Sequence, residues 1–145
     1  MNEYIIYADG FMPSKKEKIG GCSYAVFNND KKIIHIKRYI NKIPKKYKQL
    51  FDDIELTNNA FEYFALISAL LRARKILKEN KSATFIIYMD SEVVVKQING
   101  LYLVSSVNLK KLNLFALDIF NEIASNTDLK VIWIKRNRIV EILGH

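Results

Sequence analysis

Apolar and polar positions alternate along the chain in blocks that predict nine elements. Tyr4-Ile5-Ile6-Tyr7-Ala8 is a short apolar run of β-formers closed by Asp9-Gly10, and predicts a buried strand. Phe11 to Ile19 is polar, contains Pro13 and a lysine cluster, and predicts a loop. Gly21 to Phe27 predicts a second strand, followed by an Asn28-Asn29-Asp30 turn. Lys32 to Ile40 predicts a third, in which Ile34, Ile36 and Arg38 alternate with His35, Lys37 and Tyr39. Short loops between these three strands suggest an antiparallel meander.

Ile43 to Leu56, with Pro44, reads as an irregular connection. Thr57-Asn58-Asn59 then offers N-cap chemistry for a long helix over about Ala60 to Glu79. Apolar residues cover most of that helix's circumference, as expected of a helix packed on several sides. Thr84 to Met89 predicts a fourth, apolar strand ending at Asp90. Ser91 caps a short helix to Ile98, stopped by Asn99-Gly100. Apolar residues at 109, 112, 115, 116, 119, 120 and 123 predict a helix over Leu109 to Ala124. Leu129 to Ile134 predicts a fifth strand, and Arg138 to the end one or two helical turns. The order β-β-β-α-β-α-α-β-α, without repeat or linker, points to one α/β domain over residues 1–145, a mixed sheet with helices on its faces.

Composition narrows the class. Half of the 145 residues are hydrophobic, 26% are charged, and there are only five Gly and two Pro, which excludes disordered and collagen-like chains. A lone cysteine, Cys22, excludes an internal disulfide framework and a Cys-based zinc cluster, and fits a reducing compartment. No apolar stretch approaches the roughly 18 residues that span a bilayer. Met1-Asn2-Glu3-Tyr4 lacks the basic lead and apolar run of a signal peptide. A cytoplasmic protein with no membrane partner is the expectation.

The net charge is +8. Eleven cations lie between Lys15 and Lys48 (Lys15, Lys16, Lys18, Lys31, Lys32, Lys37, Arg38, Lys42, Lys45, Lys46, Lys48), opposed only by Glu17 and Asp30. Such a stretch suits nucleic-acid phosphates. It equally suits edge strands that lysine keeps from aggregating.

The acids carry the candidate chemistry. Asp9 and Asp90 each follow a wholly apolar strand, the position where open α/β sheets place ligand-binding groups. Were these strands parallel neighbours, about 4.8 Å apart, the two carboxylates would be close enough to share a cation. Glu62, in the first turns of the long helix, reads either as a helix-start acid in a capping-box-like arrangement with Asn59 or as a third oxygen ligand. Glu141 reads by itself as a solvated helix residue. His35 reads as a strand residue on a basic face, and His145 as a frayed terminal residue.

The local contexts of these acids are more specific. Tyr7-Ala8-Asp9-Gly10, then Gly20-Gly21-Cys22-Ser23-Tyr24-Ala25-Val26-Phe27, then Thr57-Asn58-Asn59-Ala60-Phe61-Glu62, then Asp90-Ser91 with Val94-Val95-Lys96-Gln97-Ile98-Asn99-Gly100, in this order, resemble ribonuclease H of type 1. The similarity spans nearly the whole chain and is nearest the compact, archaeal-like and bacterial branch. It implies an RNase H-like fold, a five-stranded mixed sheet of order 3-2-1-4-5 with strand 2 antiparallel.

The resemblance also implies a function. Four carboxylates hold two Mg²⁺ ions, with Mn²⁺ as an alternative, and the enzyme cuts the RNA strand of RNA/DNA hybrids to 5′-phosphate and 3′-hydroxyl ends. Asp9 matches the acid that bridges both ions, and Glu62 and Asp90 match the second and third. Glu141 matches the fourth in the frame Asn137-Arg138-Ile139-Val140-Glu141, where the family normally has Asp. Gly10, Thr57, Asn58, Asn59 and Arg136 match substrate contacts, with Gln97 a weaker match, and Arg136 stands where many relatives carry a His. The implied enzyme is a monomer that needs no protein partner. Glu in place of Asp at 141, with the short final helix, leaves a second reading, a non-catalytic or weakly active nucleic-acid-binding module. A third is a related nuclease: a proofreading exonuclease, which expects an Asp-x-Glu that Asp9-Gly10-Phe11 does not supply, or a junction resolvase, which expects a dimer.

Overall fold

The computed structural model describes residues 2–145; Met1 lies outside the described residues. Five strands form a single sheet: β1 (Glu3–Phe11), β2 (Gly21–Asn28), β3 (Lys31–Tyr39), β4 (Thr84–Met89) and β5 (Leu129–Trp133). Their spatial order is β3-β2-β1-β4-β5. β2 runs antiparallel to β1 and β3, whereas β4 runs parallel to β1 and β5. This is the expected mixed sheet, with β1 and β4 side by side.

The β2–β3 hairpin closes through Asn29 and Asp30, both at positive φ (54° and 62°). Asn and Asp tolerate that conformation, and paired positive φ values match the right-handed twist of the flanking strands.

Five α-helices surround the sheet: α1 (Lys45–Asp52), α2 (Asn58–Glu79), α3 (Glu92–Ile98), α4 (Val107–Ala124) and α5 (Arg136–Leu143). The side-chain alternation of the strands sorts them onto two faces. Ile6 and Ala8 of β1, and Cys22, Tyr24 and Val26 of β2, join the main core with α2, α3 and α4. Ala25, with Tyr7 and Phe27, packs on the other face against Ile139 and Leu143 of α5. α2 is buried along most of its length, from Ala60 to Ala73, because the sheet covers one side and α4 another.

Three sequence expectations change. The stretch 43–56 is not irregular: Pro44 stands at the N-cap of α1, whose φ it pre-sets, and Phe51 anchors that helix in the core while its lysines face water. α2, α4 and α5 begin about two residues earlier than the apolar periodicity indicates, at Asn58, Val107 and Arg136, because these first residues are exposed and stand outside the buried stripe that sets the pattern. β1 does not stop at Ala8. It runs through Asp9, Gly10 and Phe11, which pair with Ser23, Cys22 and Gly21 of β2 beyond the last partner on β4.

Candidate active site

The overhang of β1 beyond β4 builds the site. Tyr7 is the last residue of β1 opposite β4, so Asp9 projects just past that edge, and Asp90 follows the final residue of β4. The two acids therefore meet at the carboxyl ends of neighbouring parallel strands.

α2 supplies the third acid. Thr57 is the N-cap, its Oγ1 accepting the N–H of Ala60 at 3.3 Å, so Glu62 lies beyond the first turn and takes no part in a capping box. Its Oε1 instead accepts the N–H of Gly10 at 2.5 Å. That bond requires the helix backbone to lie against the strand. Gly10 permits it, since a β-carbon there would collide with the backbone of Phe61 and Glu62.

One carboxylate oxygen from each of Asp9, Glu62 and Asp90 lies within 4.8 Å of the others. Asp9 is fully buried, and neither of its oxygens has a hydrogen-bond partner among the described residues. An unpaired buried carboxylate is costly unless a cation meets it. Burial, then the neighbouring charge of Asp9, pushes Glu62 up to about 9, against the opposing pull of the Gly10 N–H. Burial and Asp9 also raise Asp90, opposed by Arg136. Hard oxygen donors crowded into mutual repulsion fit a hard divalent cation.

Arg136 partly fills that role. Its Nη1 lies 2.7 Å from Asp90 Oδ2 and 3.5 Å from Asp9 Oδ2, while its side chain remains 63% exposed. A guanidinium so placed offsets the acids from the solvent side and keeps donors free for a phosphate.

Glu141 does not join the cluster. Its carboxylate is 66% exposed and pairs with Arg138 one turn away on α5. Besides Arg136, the residue that reaches Asp9 from the α5 segment is His145, which is docked rather than frayed. Its Nδ1 lies 3.0 Å from Asp9 Oδ2, its Nε2 is 2.7 Å from Ser23 Oγ, and its ring meets Phe11 edge-on. The sequence carries a signal for this. Gly144, directly after the apolar Ile139 and Leu143, ends α5 in the left-handed conformation (φ 85°) and turns the next residue back toward the sheet.

The expected substrate contacts are distributed unevenly. Gly10, Asn58, Asn59 and Arg136 line one open cleft with Glu62, Asp90 and His145. Thr57 does not line this cleft; it precedes Asn58 as the cap of α2. Gln97 is buried and used internally, its Oε1 accepting from the Tyr63 hydroxyl at 2.6 Å. His35 lies beside Lys32 on β3, as expected of a basic strand face.

No protein-family model matches the chain, and a comparison with curated proteins gives no match. Solved structures do match. LC11-RNase H1, isolated from compost by a metagenomic approach, is similar at TM-score 0.75 and 27% identity, over 97% of this chain and 90% of that one. The N-terminal RNase H domain of rv2228c from Mycobacterium tuberculosis, solved as a fusion with maltose-binding protein, is similar at TM-score 0.70 and 25% identity, over 97% and 88%. LC11-RNase H1 in complex with an RNA/DNA hybrid is similar at TM-score 0.65 and 24% identity, over 95% and 89%. The sheet order β3-β2-β1-β4-β5, an acidic cluster at the ends of β1 and β4, and likeness over almost the full length make this chain similar to solved structures of ribonuclease H type 1.

Proposed function

We propose that this protein is an endoribonuclease that cleaves the RNA strand of RNA/DNA hybrids, leaving 5′-phosphate and 3′-hydroxyl ends. The observation that carries the reading is the trio Asp9, Glu62 and Asp90, gathered within 4.8 Å around a buried carboxylate without hydrogen-bond partners. A relative that binds an RNA/DNA hybrid supports the substrate class.

Asp9, Glu62 and Asp90 would hold the divalent cations, Mg²⁺ or Mn²⁺, that the reaction needs. Bound there, the ions supply an activated water and stabilise the departing 3′-oxygen. The chain's own residues do the rest. The Gly10 N–H fixes the rotamer of Glu62. Arg136 holds Asp90 and presents its remaining donors to the phosphate. Asn58 and Asn59, on the cleft wall, read the wide, shallow minor groove, where 2′-hydroxyls distinguish RNA from DNA. Thr57 contacts the DNA phosphate with the same side chain that caps α2, because a hydroxyl has acceptor and donor capacity for both.

On this reading residues 1–145 act as one domain and as a monomer, in the cytoplasm. The buried thiol of Cys22, pushed up to about 12 by burial, is unreactive in any compartment. The compact branch is supported by the connection between α3 and α4, residues 99–106, which holds no added basic helix.

The test is a gel assay of labelled RNA/DNA hybrid, double-stranded RNA and DNA with Mg²⁺ or Mn²⁺. Cleavage of hybrid RNA that disappears in Asp9→Asn is the expected result, and an intact hybrid with either metal refutes the reading. The exposure of Glu141 favours one alternative, a hybrid-binding module without activity. That alternative expects binding without cleavage, unaffected by Glu62→Gln.

A further inference from the structure

We propose that His145 is the fourth ligand of the site: its Nδ1 and Asp9 Oδ2 hold a divalent cation on the α5 side of Asp9, and Glu141 does not. The inference rests on reading the acidic cluster as a divalent-cation site.

The geometry between the two atoms carries it. Nδ1 lies 3.0 Å from Oδ2, yet neither atom makes a hydrogen bond, although both are buried. The pair has the separation of a hydrogen bond without its alignment. Adjacent ligands of an octahedral ion, at bond lengths of about 2.1 Å, lie about 3.0 Å apart and aim at a common point rather than at each other.

The remainder of the ring is arranged as a ligand requires. Nε2 lies 2.7 Å from Ser23 Oγ. An Nε2–H donated to that hydroxyl selects the tautomer that leaves the Nδ1 lone pair free, the usual outer support of a metal-bound histidine. Ser23 is the cross-strand partner of Asp9, so the support and the shared carboxylate belong to one rigid pair of strands. Phe11 packs edge-on against the ring at 5.3 Å between centroids. Buried Ile139 and Leu143 seat α5 on the sheet, and Gly144 redirects the chain into the site. Glu62 and Asp90 approach Asp9 from α2 and β4, whereas His145 and, at 3.5 Å, the Arg136 guanidinium reach Asp9 Oδ2 from the α5 segment.

A nitrogen ligand also changes the metal. Imidazole favours later first-row ions more than Mg²⁺, so Mn²⁺ binds this side of Asp9 more tightly than Mg²⁺ does.

The experiment is electron spin-echo spectroscopy of Mn²⁺ bound to the full chain, with Mn²⁺ affinity measured in parallel and thermal melts to follow folding. The wild type is expected to show imidazole nitrogen modulation. His145→Ala loses it and weakens Mn²⁺ binding about tenfold. His145→Asp recovers affinity without the modulation, and Glu141→Gln retains both. His35→Asn retains the signal as well; His35 is the other histidine in the chain, so this variant assigns the nitrogen without disturbing α5. Mn²⁺ bound without nitrogen modulation, in a protein that still cleaves hybrid, overturns the inference and leaves the ribonuclease reading standing. Modulation that survives His145→Ala, or is lost in His35→Asn, also overturns it. Failure to bind Mn²⁺ at all overturns both.

Discussion

Asp9 is approached from two sides, and the two are built differently. On the α2 and β4 side, Glu62 and Asp90 project from elements buried in the main core, and the Gly10–Glu62 contact locks helix to strand. On the α5 side, an eight-residue helix rests on two buried side chains, Ile139 and Leu143, and leaves most of its surface in water. The acids of the first side are three that the ribonuclease H resemblance implies. On the second side the fourth acid so implied, Glu141, faces solvent, and His145 lies beside Asp9. Ligands carried by core elements cannot move without disturbing many contacts, whereas a lightly anchored helix can exchange one ligand for another at little cost in packing.

Four measurements probe this contrast, the largest effect first. Asp9→Asn removes the group both sides share, and hybrid cleavage should fall by on the order of 10³-fold or more in the gel assay. The metal-free variant should also melt higher than the wild type, since a buried anion that repels Glu62 and Asp90 is gone. An unchanged rate would place the chemistry elsewhere.

Gly10→Ala strikes the core side alone. Its β-carbon meets backbone rather than a side chain that can rotate away, so α2 must shift. We expect a loss of about 3 kcal/mol in denaturant unfolding. Wild-type stability and activity in this variant would show that the close approach is not needed.

Leu143→Ala strikes the α5 side alone. Loss of a buried leucine should cost about 2 kcal/mol, the low end for such changes because α5 is small and peripheral. Mn²⁺ affinity should drop as in His145→Ala, while the Glu62–Gly10 contact persists in amide exchange of Gly10.

The smallest effect is the pH dependence of metal-free stability. Glu62 has its folded value raised from 4.5 to about 9, so the folded protein keeps a proton that the unfolded chain releases. The stability from this proton is full below about 4.5 and is lost as pH rises toward about 9. Melting temperature in a chelator should therefore fall over that window. Glu62→Gln should flatten the fall, and added Mg²⁺ or Mn²⁺ should offset it at the alkaline end. A slope unchanged by Glu62→Gln would assign the effect to other groups.

Much of the molecule was legible in the residues themselves. Apolar runs and helical spacing marked all five strands and every helix but α1, because burial on one face or two leaves a period in the sequence. The short amphipathic α1 escaped because Pro44 and a lysine-rich stretch read as a loop. Asp9, Glu62 and Asp90 were legible through their flanking motifs. Ambiguity about Glu62 followed from Asn59, which mimics a cap although Thr57 is the cap.

What the sequence could determine alone was the order of the elements other than α1 and the three acids Asp9, Glu62 and Asp90, since both depend on local pattern. Tertiary structure decided the partners. Only the overhang of β1 past β4 brings Asp9 beside Asp90, and only the left-handed turn at Gly144 brings His145 to Asp9 while Glu141 faces water. Helix periodicity shows which face of α5 is apolar, but the residue beyond the helix end is placed by backbone conformation and by contacts more than a hundred positions away.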